Sequence, residues 1–210
     1  PVRDELSYTL PSFPADVSCG EVPSLEDLGY DVAEASSDAR ADFFAPVGGE
    51  TAALARLQRY VWDETRLKDY FETRNGMLGQ GYSSKLAPWL ARGCLSPRRV
   101  AHECRRYEDK RVKNKITYWL VFELTWRDYF IFYARRHGSR LFWSSGGKGL
   151  GGGHWRSARN PSFKAWTRGE TGAPLVDANM RELVATGFMS NRGRQNVASF
   201  LALDLGIDWR

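Results

Sequence analysis

Cysteine is scarce in this chain. Cys19, Cys94 and Cys104 make an odd count among 210 residues, and none sits in a Cys-x-x-Cys or Cys/His spacing. That argues against a disulfide scaffold and a structural zinc, and it suits a reducing, intracellular compartment. Histidine is as sparse: His102, His137 and His154 have no partner at ligand spacing, so no metal site is expected. Long hydrophobic runs are missing too. Every apolar stretch is broken by charge, which predicts neither a spanning helix nor a membrane partner. The opening Pro1 to Glu5 has no basic-then-apolar leader, so no signal peptide is read there. Bases are nearly absent from residues 1–50, where Arg3 and Arg40 stand against eleven acids. That stretch carries −9 and the remainder +14, for a net charge of +5. An acidic leader on a basic body is a pattern of polyanion binders, although a solvated Lys/Arg surface produces the same sum.

Period-two alternation is rare and no strand–helix–strand repeat appears, so the chain reads as mainly α. Residues 1–50, with five prolines and Gly48-Gly49 at the end, read as an irregular interdomain linker, and 51–210 as a helical domain. Leu54, Leu57 and Val61 recur at helical spacing from Glu50 onward. Ser96-Pro97 reads as an N-cap with proline in the first turn, opening a helix to about Tyr107. Residues 115–137 carry apolar side chains all round the wheel, which predicts a helix buried at the domain centre. Leu175–Thr186 and Asn191–Asp204 complete the set, with Gly187 and Gly206 as stops.

Several motifs could carry chemistry. Gly147 to Gly152 formally matches GxGxxG, but no strand leads into it, so a surface loop is the better reading. Ser83-Ser84-Lys85 before a short helix offers hydroxyls, N–H groups and a cation to an anion, and it is also what an ordinary helix cap looks like. Glu123, Trp126, Arg127 and Phe130 share one helix face. They are either an internal Glu123–Arg127 pair or the wall of a pocket for a planar ligand. Asn191, Arg194, Gln195 and Ala198 form a second such face, and Arg192 and Arg194 near a helix start would suit a phosphate.

Together these runs resemble the photolyase/cryptochrome family. They are Tyr70 to Met77, Ser83 to Leu90, Gly93 to Arg98, Glu123 to Phe130, and Thr171 through Asp177–Leu183 to Gln195. The spellings Thr73-Arg74-Asn75-Gly76-Met77 and Ser190-Asn191-Arg192-Gly193-Arg194-Gln195 look like its DASH cryptochrome branch. The resemblance covers about residues 55–210 and implies a helical FAD-binding domain with the acidic leader as linker. It implies that Tyr70, Ser83, Ser84, Lys85, Leu86, Arg127 and Arg194 bind FAD. Glu123, Trp126, Asn191 and Gln195 would line the cavity for a flipped pyrimidine dimer, with Glu123 and Trp126 as the catalytic pair. Trp155 and Trp209 would carry electrons, whereas Trp166 has no such assignment.

The family's last serine in the phosphate turn is Ala87 here. The resemblance also places an α/β antenna domain, with a possible pterin (folate) chromophore, ahead of the linker. It places further flavin-facing residues beyond Arg210, so residues 1–210 form a C-terminally incomplete domain, expected by itself to hold FAD weakly and to be inactive. The implied activity is that of a DNA photolyase-type lyase: a monomer acting on single-stranded or dimer-containing DNA, with light-driven repair of cyclobutane pyrimidine dimers by reduced FAD. The alternatives are a blue-light flavin photoreceptor signalling without repair, and a basic helical nucleic-acid module without flavin.

Overall fold

The computed structural model describes residues 27, 47–79, 81–144 and 155–210. The chain divides into two compact units, Pro1–Ala41 and Asp42–Arg210. The acidic linker up to residue 46 (Asp27 apart), Cys19, the glycine-rich loop 146–153 and His154 lie outside the described residues.

Helices make up the second unit: α1 (Glu50–Gln58), α2 (Tyr70–Thr73), α3 (Ala87–Arg92), α4 (Pro97–Lys110), α5 (Lys115–His137), α6 (Pro161–Arg168), α7 (Pro174–Thr186) and α8 (Asn191–Ser199). Both α1 and α8 run on into a π-helical turn, Arg59–Asp63 and Phe200–Asp204. Among the described residues the one extended pairing is a parallel bridge between Arg156 and Ile207.

Local chemistry explains the helix starts. Ser96 Oγ accepts from the Arg98 N–H, with Pro97 in the first turn, as its sequence predicts. Asn114 Oδ1 accepts from Ile116 and Thr117 N–H at 2.8 and 2.9 Å, and Asn114 N–H donates to Thr117 Oγ1. That reciprocal box sets the start of α5. Ser190 caps α8 through the Gly193 N–H at 2.9 Å. The stops Gly187 and Gly206 have φ +69° and +62°, the left-handed backbone that glycine adopts without strain.

Two apolar cores result. Leu57, Tyr60, Leu67, Trp89, Val100 and Leu120 belong to the first, which α1, α3, α4 and the start of α5 enclose. Val176, Met180, Met189 and Val197 form the second between α7 and α8, with Trp166 packed on it. The Trp166 indole donates to the Val197 carbonyl at 3.0 Å.

The expectation that α5 is buried along its length is corrected. Thr117, Leu120 and Leu124 are its buried residues. Beyond them Trp126 is 43%, Phe130 60% and Phe132 64% exposed. A wheel apolar on every side says that a helix can be covered all round, and here the described elements cover one side of its first half.

Ahead of α7, Asp177 accepts from Thr171 N–H (2.8 Å), Thr171 Oγ1 (2.7 Å) and Gly172 N–H (2.9 Å). The Thr171 hydroxyl above all, then these backbone donors, hold its carboxyl below the usual aspartate range. Its stabilising effect is therefore complete above the unfolded pKa of about 3.9 and is lost as pH falls through the lower folded value. Asp177→Asn is expected to lower the melting temperature at pH 6 and to flatten the loss of stability between pH 5 and 3. An unchanged acid limb in thermal scans would refute this.

Candidate cofactor and nucleic-acid site

Residues 70–79 and 81–86 form the seam between the two cores. Phe71 meets Trp119 of α5 edge-on at 4.7 Å between ring centres. Toward the other core, the Asn75 side chain accepts from Arg192 Nη2 at 2.8 Å, and Met77 sulfur lies 4.0 Å from Asn179 Nδ2.

Tyr70 is buried, with Ser83 and Glu123 among its neighbours. Burial first, then the nearby Glu123 charge, pushes its phenol above the usual tyrosine range. It therefore serves as a fixed hydrogen-bonding group rather than a base.

The following turn is unusual in its backbone. Gly79, Ser83 and Lys85 have φ of +78°, +53° and +56°. For the two residues with side chains this costs about 1–3 kcal/mol each, so the surroundings must impose it. Lys85 is followed by Leu86 at φ −80°, ψ −8°. Such alternation of left- and right-handed residues turns successive N–H groups toward one concave side, a shape that binds anions. The Ser84 carbonyl is held from behind by Arg56 Nε at 3.2 Å. The serines do not cap α3: Leu86 occupies that position and no side chain caps it. Hydroxyls and an N–H concavity in one turn fit the diphosphate of FAD.

Glu123 is the polar centre of α5. Arg74 Nη1 donates to its Oε1 at 2.7 Å and Trp119 Nε1 to the same oxygen at 3.1 Å. Both donors converge on Oε1, so Oε2 is the oxygen that a ligand would meet. The internal Glu123–Arg127 pair is thereby replaced, since Arg127 Nη1 donates to Asp128 at 3.1 Å instead. One turn on, Trp126 stacks against Phe130 with ring centres 5.7 Å apart and planes at 30°. Tyr129 meets both rings edge-on.

On α8, Gln195 Oε1 accepts from Arg192 Nη1 at 2.8 Å, and Arg194 Nε donates to the Met189 carbonyl at 3.3 Å. Arg192, rather than Arg194, links α8 to the seam through Asn75. Asn191 lies at the first position of the helix. The structure thus brings Tyr70, Ser83 and Glu123 together, sets Trp126 one turn away, and ties the Asn191/Gln195 face to them through Arg192–Asn75. Trp155 and Trp209 stand elsewhere, on either side of the Arg156–Ile207 bridge, with Trp209 against Phe142 at 6.2 Å. Arg74 and Asn75 enter the sequence reading through the Thr73–Met77 spelling, with no site role of their own. Their signal was a charged and an amide residue following the buried Tyr70, and their partners lie 49 and 117 positions away.

Among the described residues no cluster of metal-ligating side chains occurs, and no helix is long and apolar enough to cross a membrane. Residues 119–210 match the FAD binding domain of DNA photolyase. Cryptochrome DASH, chloroplastic/mitochondrial, of Ostreococcus tauri is 63% identical over 163 residues, 78% of this chain and 30% of the relative. Cryptochrome DASH of Gloeobacter violaceus is 56% identical over 200 residues, 95% of this chain and 39% of the relative. The crystal structure of a Synechocystis cryptochrome superposes with a TM-score of 0.75 at 58% identity, over 82% of this chain and 35% of the other. A class III photolyase from Agrobacterium tumefaciens gives 0.63 at 36% identity, over 77% and 32%. The chain spans between three and four tenths of the length of these relatives. With its helical architecture, its seam motifs and these likenesses, the chain belongs to the photolyase/cryptochrome family and resembles the DASH cryptochromes.

Proposed function

We propose that this chain is the FAD- and DNA-binding part of a light-driven photolyase that repairs cyclobutane pyrimidine dimers in single-stranded DNA. The observation that carries the reading is the seam itself: a turn with left-handed Ser83 and Lys85, the buried Tyr70 phenol, and the half-exposed Glu123 carboxylate with the exposed Trp126 indole one turn along α5. Reduced FAD, when bound and excited by blue light, would supply the electron that opens the cyclobutane ring. Ser83, Ser84 and the backbone of Lys85 and Leu86 would hold its phosphates, with Tyr70 alongside them at the cofactor. Arg127 and Arg194 would add positive charge along that cofactor.

Trp126, with Phe130 behind it, would stack on the extruded bases, and Asn191 and Gln195 would face them from α8. Glu123 Oε2 would accept a hydrogen bond from a pyrimidine edge while Oε1 stays with Arg74 and Trp119. That geometry holds the carboxylate fixed as charge develops on the base. Trp155 and Trp209 would serve flavin photoreduction, a route that repair by reduced flavin does not need. A pterin antenna would belong to a separate domain.

The test is blue-light reversal of a thymine dimer in single-stranded DNA by the complete protein, of which this chain is a part, loaded with FAD. Glu123→Gln keeps an acceptor for Arg74 and Trp119 but places an amide N–H₂ at the other oxygen. It is expected to cut repair about tenfold, with FAD content unchanged. No repair by fully reduced wild type would overturn this reading in favour of a blue-light flavin photoreceptor, which the cryptochrome names of the relatives also suit.

A further inference from the structure

Lys85 sits where an ammonium is expensive to keep. Its side chain is buried, with 6% of the residue exposed. Nζ donates to the Gly79 carbonyl at 2.6 Å, so the side chain reaches back across the turn and ties two left-handed positions together. The ammonium lies 4.0 Å from the centre of the Tyr82 ring and 5.7 Å from that of Phe188, which follows α7. Among the described residues, the charged groups that act on it are Arg56 from α1 and Glu182 from α7. Arg56 also holds the Ser84 carbonyl. Two cations thus hold backbone carbonyls of this segment, Arg56 that of Ser84 and Lys85 that of Gly79. Burial, then the Arg56 charge, lowers the Lys85 pKa to about 8, against the pull of Glu182.

We propose that Lys85 is a positioning residue whose proton is coupled to anion binding at the Ser83–Ser84 turn: charged, it clamps the left-handed turn in shape, and an arriving diphosphate draws the proton onto it. The inference rests on the reading that this turn holds the phosphates of FAD. Its sign is fixed by linkage. An anion nearby favours the ammonium and raises its pKa, so binding above about pH 8 takes up a proton. Affinity then falls as pH rises, by at most about tenfold per unit. The effect on the empty fold runs the other way. A folded pKa of about 8, below the usual lysine value of 10.5, means that the unfolded chain binds more protons between the two. Lys85 therefore lets stability rise with pH in that window. A clamp serving the fold alone would not produce opposite slopes.

The experiment is the affinity of the complete protein for FAD between pH 7 and 9.5, by fluorescence quenching, for wild type, Lys85→Arg and Lys85→Met. Wild type is expected to weaken about tenfold across the range. Lys85→Arg, charged throughout, should bind with a flat profile, and Lys85→Met should bind more weakly at pH 7 and also be flat. Calorimetry of wild type with FAD at pH 8.5, in two buffers of different ionisation enthalpy, needs no variant and should show net proton uptake. A wild-type slope retained in Lys85→Met, or no proton uptake, overturns the coupling while leaving the FAD reading intact. Failure of wild type to bind FAD at pH 7 overturns both.

Discussion

Replacing Trp126 by alanine is expected to weaken binding of dimer-containing single-stranded DNA by about 1–3 kcal/mol, the worth of one base stacked on an aromatic ring. That is about five- to 150-fold in Kd. The indole is 43% exposed yet held in place, stacked on Phe130 and edge-on to Phe122 and Tyr129. Its orientation is prepaid by the free protein, so most of the stacking energy reaches the ligand. Undamaged DNA should lose far less, because its bases need not leave the strand to be bound. Surface bases offer the contrast. Arg135→Ala or Arg136→Ala, in the last turn of α5, should weaken both DNAs alike and reduce the salt dependence. Fluorescence anisotropy at two salt concentrations separates the cases. Equal loss on damaged and undamaged DNA for Trp126→Ala would make the indole a packing residue.

Gly193→Ala is expected to destabilise the second core strongly. A helical glycine replaced by alanine ordinarily stabilises by up to about 1 kcal/mol, and here the sign should reverse. A β-carbon on Gly193 would lie 2.0 Å from Asn179 Oδ1 and 3.0 Å from Met189 Cγ. Asn179 is buried, and its Nδ2 donates to the Leu175 carbonyl at 2.7 Å, so the amide yields only by breaking a buried hydrogen bond. Overpacking and that lost bond together should cost about 2–4 kcal/mol. Thermal unfolding should drop by roughly 10 °C. Gly48→Ala, with open space around it, should shift stability by no more than about 0.5 kcal/mol. Asn179→Ala in the same chain should relieve part of the Gly193→Ala loss, because the two residues share one contact. Additive losses in the double variant would place the strain elsewhere. The close approach also matters for binding, because α8 carries Asn191, Arg192 and Gln195 and can press them toward the seam only while residue 193 has no side chain.

Legibility followed distance along the chain. The start of α4 at Pro97, the span of α5 from Lys115 to His137 and the breaks at Gly187 and Gly206 could all be read in advance. Each depends on a cap, a period or a left-handed glycine within a few residues. Ser83, Glu123 and Trp126 could be singled out from such local patterns, and Tyr70 through the family resemblance. Their partners could not. Spacing suggested Arg127 for Glu123 because an i,i+4 pair is the local option, but Arg74 takes that place once α2 packs on α5.

The amino-acid sequence by itself determined the helical class, most helix limits, the charge asymmetry and the family, because these are set by local hydrogen bonding, by periodicity and by residue identity. Only the tertiary structure decided which side of α5 is covered, that Lys85 turns inward, and that Arg74, Asn75 and Arg192 knit the seam together. Those outcomes depend on which non-local surfaces meet. A lysine, an indole or an arginine has several acceptable environments, and packing between distant segments selects one of them.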